Sequence, residues 1–138
     1  MTAPVGVVVV GHGNSATHLL DAARTITSGA PGLAGVVALD AGAGQTPELK
    51  QAVHDAIDEL DQGSGVVVLV DLMGSSPCSC CMAETVGHRA RIVSGLNLAM
   101  LIKLAHIDRE SLSTDELAGK IAETGRRAVV LHEEAAAK

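Results

Sequence analysis

The chain has 138 residues, a length typical of one domain, and 47% of them are hydrophobic although Phe, Tyr and Trp are absent. Without aromatic rings it cannot build the stacking platforms that bind single-stranded nucleic acid or the cages that bind organic cations. Asp and Glu number 16 against 10 Lys and Arg, and the net charge of −6 argues against a nucleic-acid partner, which would require a basic patch.

Continuous apolar runs rich in Val are typical of parallel strands that are buried on both faces. Such runs predict strands, in chain order, at residues 5–10, 33–39, 66–70, 89–93 and 126–132. Helical spacing and cap signals predict helices between them, at residues 15–28, 47–60, 77–86, 97–105 and 113–123. The clearest helix starts are Thr46 before Pro47, and the capping box of Ser113 and Glu116.

Alternating strands and helices predict an α/β fold with a doubly wound, mostly parallel sheet. We expect the strand order 2-1-3-4 and a single domain over residues 1–138 with a frayed tail at 133–138. The start of the chain has no basic segment, and the first apolar run is too short for a signal or a membrane span. These features predict a cytoplasmic protein.

Polar residues follow the predicted strands where ligands bind in such sheets, beyond the carboxyl ends. His12, Asp40, Asp71 and Ser94 hold these positions. With the order 2-1-3-4 the first and third strands are neighbours, so His12 and Asp71 come together. A carboxylate on one imidazole nitrogen fixes the tautomer and makes the other nitrogen more basic. The pair therefore predicts a histidine that can attack phosphorus or bind a metal.

Two predicted helix starts face the same end of the sheet, and backbone N–H groups at a helix start favour bound anions. The expected phosphate-binding residues are Gly13, Asn14, Ser15, Ser75 and Ser76. The N–H group of Ala16 is a further expected donor. Because fixed donors can meet the phosphoryl charge, we expect neither a metal ion nor another cofactor.

Three segments resemble the signatures of one family in its order and spacing: VVVVGHGNSA at 7–16, VVVLVDLMGSSP at 66–77 and VSGLNLAML at 93–101. DELAGKIAETGRRAV at 115–129 is similar to the C-terminal helix and strand of that family. The family is the mannose-type IIA domain of the bacterial phosphoenolpyruvate-dependent sugar phosphotransferase system (PTS).

This resemblance implies that His12 accepts a phosphoryl group from the phosphocarrier protein HPr and passes it to a IIB domain. It implies that Asp71 hydrogen-bonds the other ring nitrogen and that Ser76 lies near the phosphate. It also implies a homodimer in which residues 126–132 form an antiparallel edge strand of the partner's sheet, and an indirect association with a membrane sugar permease.

Related functions stay open at this point. Ser75 stands where the family has a second glycine, and Gly11 where some members have a polar residue. An orphan regulatory IIA protein and the phosphotransfer subunit of dihydroxyacetone kinase are therefore alternatives.

More distant alternatives depend on the same glycine-rich turn. Gly11-x-Gly13-x-x-Ala16, with Asp40 ending the next strand, matches a weak dinucleotide-binding pattern. VVGHG at 9–13 also resembles the start of small tetrapyrrole metal chelatases, which need a second strand-end histidine. An adaptor without chemistry is a further class.

Three cysteines crowd into one short segment, at Cys78, Cys80 and Cys81. A closed zinc site needs about four ligands, and the chain has no second Cys pair. We expect small buried thiols here, and no metal site.

Overall fold

The computed structural model describes residues 3–42, 46–72 and 84–134. Three predictions fall outside these ranges: Ser75 and Ser76 as phosphate-binding residues, the buried cysteines, and all but the end of the helix predicted at 77–86. They stay predictions.

The described residues contain four strands and four complete α-helices. The strands are β1 (Gly6–Gly11), β2 (Val37–Asp40), β3 (Val66–Val70) and β4 (Ala90–Ser94). The helices are α1 (Ser15–Ile26), α2 (Pro47–Leu60), α3 (Leu98–Ala105) and α4 (Thr114–Arg127). A short 3-10 helix, Pro31–Leu33, precedes β2, so the second strand starts four residues later than its apolar run predicts.

The helix starts follow the cap chemistry of the sequence. The Thr46 hydroxyl accepts a hydrogen bond from the Leu49 N–H at 3.1 Å. The Ser113 hydroxyl accepts from the Glu116 N–H at 3.1 Å, and the Glu116 carboxylate accepts from the Ser113 N–H at 3.0 Å. Each cap satisfies backbone donors that a helix leaves free in its first turn.

The sheet is parallel throughout and has the order β2-β1-β3-β4, which confirms the predicted topology. Val7 and Val9 of β1 face a core formed with α1, α3 and α4. Val8 and Val10 face a second core, formed with α2. Because both faces of β1 are covered, the strand is a continuous run of small apolar residues with no polar alternation. The central position of β1 places the turn after it in the middle of the sheet edge.

The C-terminal segment differs from the prediction. Helix α4 continues to Arg127, so the predicted helix end at residue 123 and the predicted strand start at residue 126 are wrong. Gly125 is a packing position, because a Cβ there would lie 2.3 Å from Met100 Cε. The last turn is supported by Arg127, whose guanidinium donates to Glu123 at 2.7 Å.

Residues 128–134 form no strand within the single chain. The side chains of Val129 and Leu131 are 82% and 96% exposed. Their β-branched and apolar character predicts a strand, but the single chain gives that strand no partner. Exchange of this segment between two copies stays a prediction.

Candidate functional site

The neighbouring strands β1 and β3 bring His12 and Asp71 into direct contact. His12 follows β1, Asp71 follows β3, and Val10 and Val70 are paired just before them. The His12 backbone N–H donates to Asp71 Oδ2 at 2.8 Å, and ring atom Nδ1 lies 3.1 Å from Oδ2 and 3.2 Å from Oδ1. The carboxylate therefore holds both the backbone and the ring of the histidine.

The contact determines the charge of Asp71 and the tautomer of His12. Partial burial acts to raise the pKa of Asp71, but the hydrogen bonds from the His12 N–H and ring outweigh it and hold the pKa below its ordinary 3.8. Asp71 is thus ionised at neutral pH and can only accept hydrogen bonds. Nδ1 must then carry a proton, which leaves the lone pair of a neutral ring on Nε2. The His12 side chain is 39% exposed, so a partner can reach it.

The turn between β1 and α1 is fixed by the end of β2. Gly13 has a φ of +54°, a left-handed conformation that favours glycine. Its N–H donates to the Gly42 carbonyl at 2.8 Å, and the Ser15 N–H donates to the His12 carbonyl at 3.0 Å. The predicted donors Gly13 and Ser15 are therefore already occupied.

Two further N–H groups at this turn, those of Asn14 and Ala16, are also expected to bind phosphate. Neither group donates a hydrogen bond to an acceptor in residues 3–42, 46–72 and 84–134. Asn14 is the N-cap residue of α1, but its side chain makes no capping hydrogen bond. Of these two expected donors, Asn14 is exposed beside His12, whereas Ala16 is fully buried.

Gly11 and Ser15 share one small space behind the turn. A Cβ on Gly11 would lie 2.2 Å from Ser15 Oγ and 3.2 Å from the Ala16 nitrogen. Ser15 Oγ is buried, and no hydrogen-bond partner meets it among the described residues. The serine hydroxyl therefore fills the volume that a side chain at position 11 would need, which gives a physical reason for glycine there.

Asp40 contacts Thr17, a pair that is not among the predictions from the sequence. Its carboxylate accepts from the Thr17 N–H at 3.0 Å and from the Thr17 hydroxyl. A polar residue in the third position of a helix, facing a strand-end carboxylate, is the signal that indicates such a contact. A dinucleotide site needs this carboxylate for a ribose, whereas here it caps α1.

The histidines outside the turn do not complete a metal site. His88 precedes β4 and contacts Asp58 and Asp61, and His106 follows α3. Neither lies at a strand end beside His12, as the chelatase alternative requires. Within the described ranges, no set of three or more His, Cys, Asp or Glu side chains is placed to hold a metal ion.

A cavity of about 630 Å³ lies at the opposite edge of the sheet, near Pro4 and Pro31. Of the charged residues that line it, Asp108 and Glu110 are exposed. Arg109 is partly buried and donates to the Val5 carbonyl at 2.7 Å and to the Ala34 carbonyl, so it fastens backbone segments together. The cavity contains no further buried titratable group. We therefore place the candidate site at His12.

Within the described part of the chain, no helix has the length and apolarity needed to cross a membrane.

Comparisons with known proteins agree with this geometry. A curated relative, the "Putative phosphotransferase enzyme IIA component YadI" of Escherichia coli K12, is 30% identical over 80 residues, which are 56% of this chain and 53% of that protein. The chain thus matches about half the length of that relative.

Solved structures match over almost the whole chain. The mannose/sorbose-specific IIA subunit of the phosphotransferase system from Enterococcus faecalis has a TM-score of 0.80 and 27% identity, over 98% of this chain and 99% of that one. The PTS IIA protein associated with the fucose utilization operon of Streptococcus pneumoniae has a TM-score of 0.76 at 24% identity, over 95% and 96% of the two chains, and shows the same fold.

The family model described as "PTS system fructose IIA component" (EIIA-man) matches residues 6–122, which include both His12 and Asp71. This match covers most of the chain, and the fold and strand order agree with it. The chain is therefore a member of the EIIA-man family of PTS IIA components.

Proposed function

We propose that this protein accepts a phosphoryl group from HPr on Nε2 of His12 and passes it to a IIB domain of a sugar phosphotransferase system. The observation that carries the proposal is the His12–Asp71 contact, which occupies Nδ1 and leaves Nε2 as the free nitrogen of a side chain that is 39% exposed. Family membership supports the reaction class, because IIA components are phosphotransferase components.

The transfer is an in-line displacement at phosphorus. The Nε2 lone pair of the neutral ring attacks, the new N–P bond forms, and the bond between phosphorus and the donor protein breaks. The ring gains positive charge as the bond forms, and the ionised Asp71 beside Nδ1 stabilises that charge. The second transfer, to the IIB domain, reverses these changes.

The negative phosphoryl oxygens need hydrogen-bond donors that are already in place. The N–H group of Asn14, exposed at the positive end of α1, is suited to this role. Ser75 and Ser76 are proposed to complete the set from the segment after β3. Fixed donors of this kind require no metal ion.

The proposal is tested by incubation with phosphoenolpyruvate, enzyme I and HPr, followed by intact mass measurement. We expect one acid-labile phosphoryl group per chain, and none on His12→Ala. The matched control is His18→Ala, which removes an exposed histidine of α1 and should leave labelling unchanged. Absence of labelling by a competent HPr from the same cell would contradict the proposal.

We also propose a cytoplasmic homodimer that serves a membrane permease indirectly, through the IIB domain. The exposed apolar side chains of Val129, Val130 and Leu131 support the dimer, because burial against a second copy would remove them from water. In this arrangement residues 128–134 pair with the sheet edge of the partner.

A further inference from the structure

The contact between Asp40 and Thr17 links the end of β2 to the first turn of α1. Asp40 pairs with Gly11 in the sheet, so it lies one strand away from the residue before His12. Its two carboxylate oxygens accept from the N–H and the hydroxyl of Thr17, the third residue of α1. A residue from another element thus caps this helix.

Because Asp40 caps α1, the N-cap residue Asn14 does not cap the helix with its own side chain. An asparagine at the N-cap ordinarily accepts a hydrogen bond from the second or third N–H of its helix. Here the third N–H belongs to Thr17 and is taken by Asp40, and the Asn14 side chain makes no capping bond. The side chain and the N–H of Asn14, which is exposed, therefore have no hydrogen-bond partner among the described residues.

A second link ties the same segments together. The Gly13 N–H donates to the Gly42 carbonyl at 2.8 Å, and the Gly42 N–H donates back to the Gly13 carbonyl at 3.3 Å. The turn that carries His12 is thus held to the end of β2 at two places that follow the histidine, at Gly13 and at Thr17. Neither link uses a group that the proposed phosphoryl transfer needs.

We propose that Asp40 is a positioning residue for phosphoryl transfer, acting through Thr17 to hold the first turn of α1 in register with His12. The inference rests on the proposed function. Asp40 touches neither the His12 ring nor the expected phosphoryl position. Small displacements of a positioned donor are costly in transfer reactions, since their effect is realised in the transition state.

The test is steady-state phosphorylation by phosphorylated HPr, with rates referred to the fraction of chains that can be labelled to completion. Asp40→Ala should lower kcat about tenfold with the KM for HPr unchanged, because the cap acts on the transfer step. Asp40→Asn retains an acceptor for the Thr17 N–H and should be intermediate. Thr17→Ser retains both donors and should behave as wild type.

The matched control is Asp21→Ala, which removes an exposed carboxylate from the same helix without touching the cap. Equal kcat for Asp40→Ala and Asp21→Ala would overturn the inference. Thr17→Val loses the hydroxyl but keeps the backbone N–H, so it should share part of the fall in kcat. A fall that Thr17→Val does not share at all, or one to which it adds independently in the Asp40→Ala background, would also overturn the inference.

A structural readout that needs no HPr accompanies the kinetics. In ¹H–¹⁵N spectra of the unphosphorylated protein, Asp40→Ala should shift the amide signals of Asn14, Ala16 and Thr17, whereas Asp21→Ala should not. Unshifted signals would contradict the inference. Loss of labelling in the wild type would instead count against the proposed function, so the two failures are distinguishable.

Discussion

His12 and Asp71 are joined at both the backbone and the ring, with the main-chain N–H at 2.8 Å and Nδ1 at 3.1 Å from the same carboxylate oxygen. The backbone bond fixes where the residue lies, and the ring bond fixes how the imidazole is turned. One carboxylate thus sets the position, tautomer and electrostatics of the histidine.

Asp71→Asn should slow phosphoryl transfer to His12 about 10- to 100-fold while the domain stays folded, because the amide keeps an acceptor but loses the charge. The rate of labelling by phosphorylated HPr measures the effect, and circular dichroism checks the fold. Asp55→Asn, which changes an exposed carboxylate of α2, is the control. Unchanged rates for Asp71→Asn would remove the role assigned to the carboxylate.

Gly11→Ala should lower the free energy of unfolding by about 1–3 kcal/mol, because its Cβ overlaps Ser15 Oγ. Ser15→Ala alone should cost little, since the buried hydroxyl has no partner among the described residues. The double variant with Gly11→Ala and Ser15→Ala should regain most of the free energy of unfolding that Gly11→Ala alone loses. Urea unfolding followed by circular dichroism measures all four proteins. Strictly additive effects would show that the two positions do not compete for space.

The strand order and the meeting of His12 with Asp71 could be predicted, because valine runs define buried parallel strands and strand ends define a common edge. A polar third residue in α1 is a sequence signal for the contact of Thr17 with Asp40, but the contact also depends on the angle at which α1 leaves the turn, which the sequence does not give. The predicted end of α4 is wrong for a local reason. A glycine near the end of a helical pattern indicates a helix stop, but Gly125 lies inside the helix at a position where a side chain would strike Met100. The exchange of the strand predicted at residues 126–132 stays a prediction, because a single chain cannot show a contact with a second copy.

A pH-dependent contribution to stability should come from His88, which lies between Asp61 and Asp58 at 2.7 and 2.9 Å. Its hydrogen bond to Asp61, with a smaller one to Asp58, raises the pKa of His88 above 6.5 despite an opposing effect of burial. The same bond to His88 holds the pKa of Asp61 below 3.8.

The raised pKa of His88 gives stability that is complete below about pH 6.5 and lost as the pH rises through the folded-state value. The lowered pKa of Asp61 gives stability that is present above about pH 3.8 and lost on further acidification. His88→Gln should therefore destabilise the protein more at about pH 5.5 than at about pH 8.5. Urea unfolding at both pH values tests this, with His18→Gln as the control. An equal loss at both pH values would contradict the assignment.

Leu131→Asp should weaken self-association at least about tenfold, because a charge would replace an apolar side chain that the proposed dimer buries. Light scattering after size exclusion measures the mass, with refractive-index detection since the chain has no Trp or Tyr. Ile26→Asp changes another exposed apolar residue, at the end of α1, and should leave the mass unchanged. A monomeric wild type would contradict the proposed exchange.

The most direct test of the central claim is ¹⁵N and ³¹P NMR of the phosphorylated protein labelled at its 6 histidines. Because Asp71 holds the proton on Nδ1, we predict coupling between ³¹P and Nε2 of one histidine ring. This coupling should be absent in His12→Ala. Phosphorus bound to Nδ1, or to any other histidine, would contradict it.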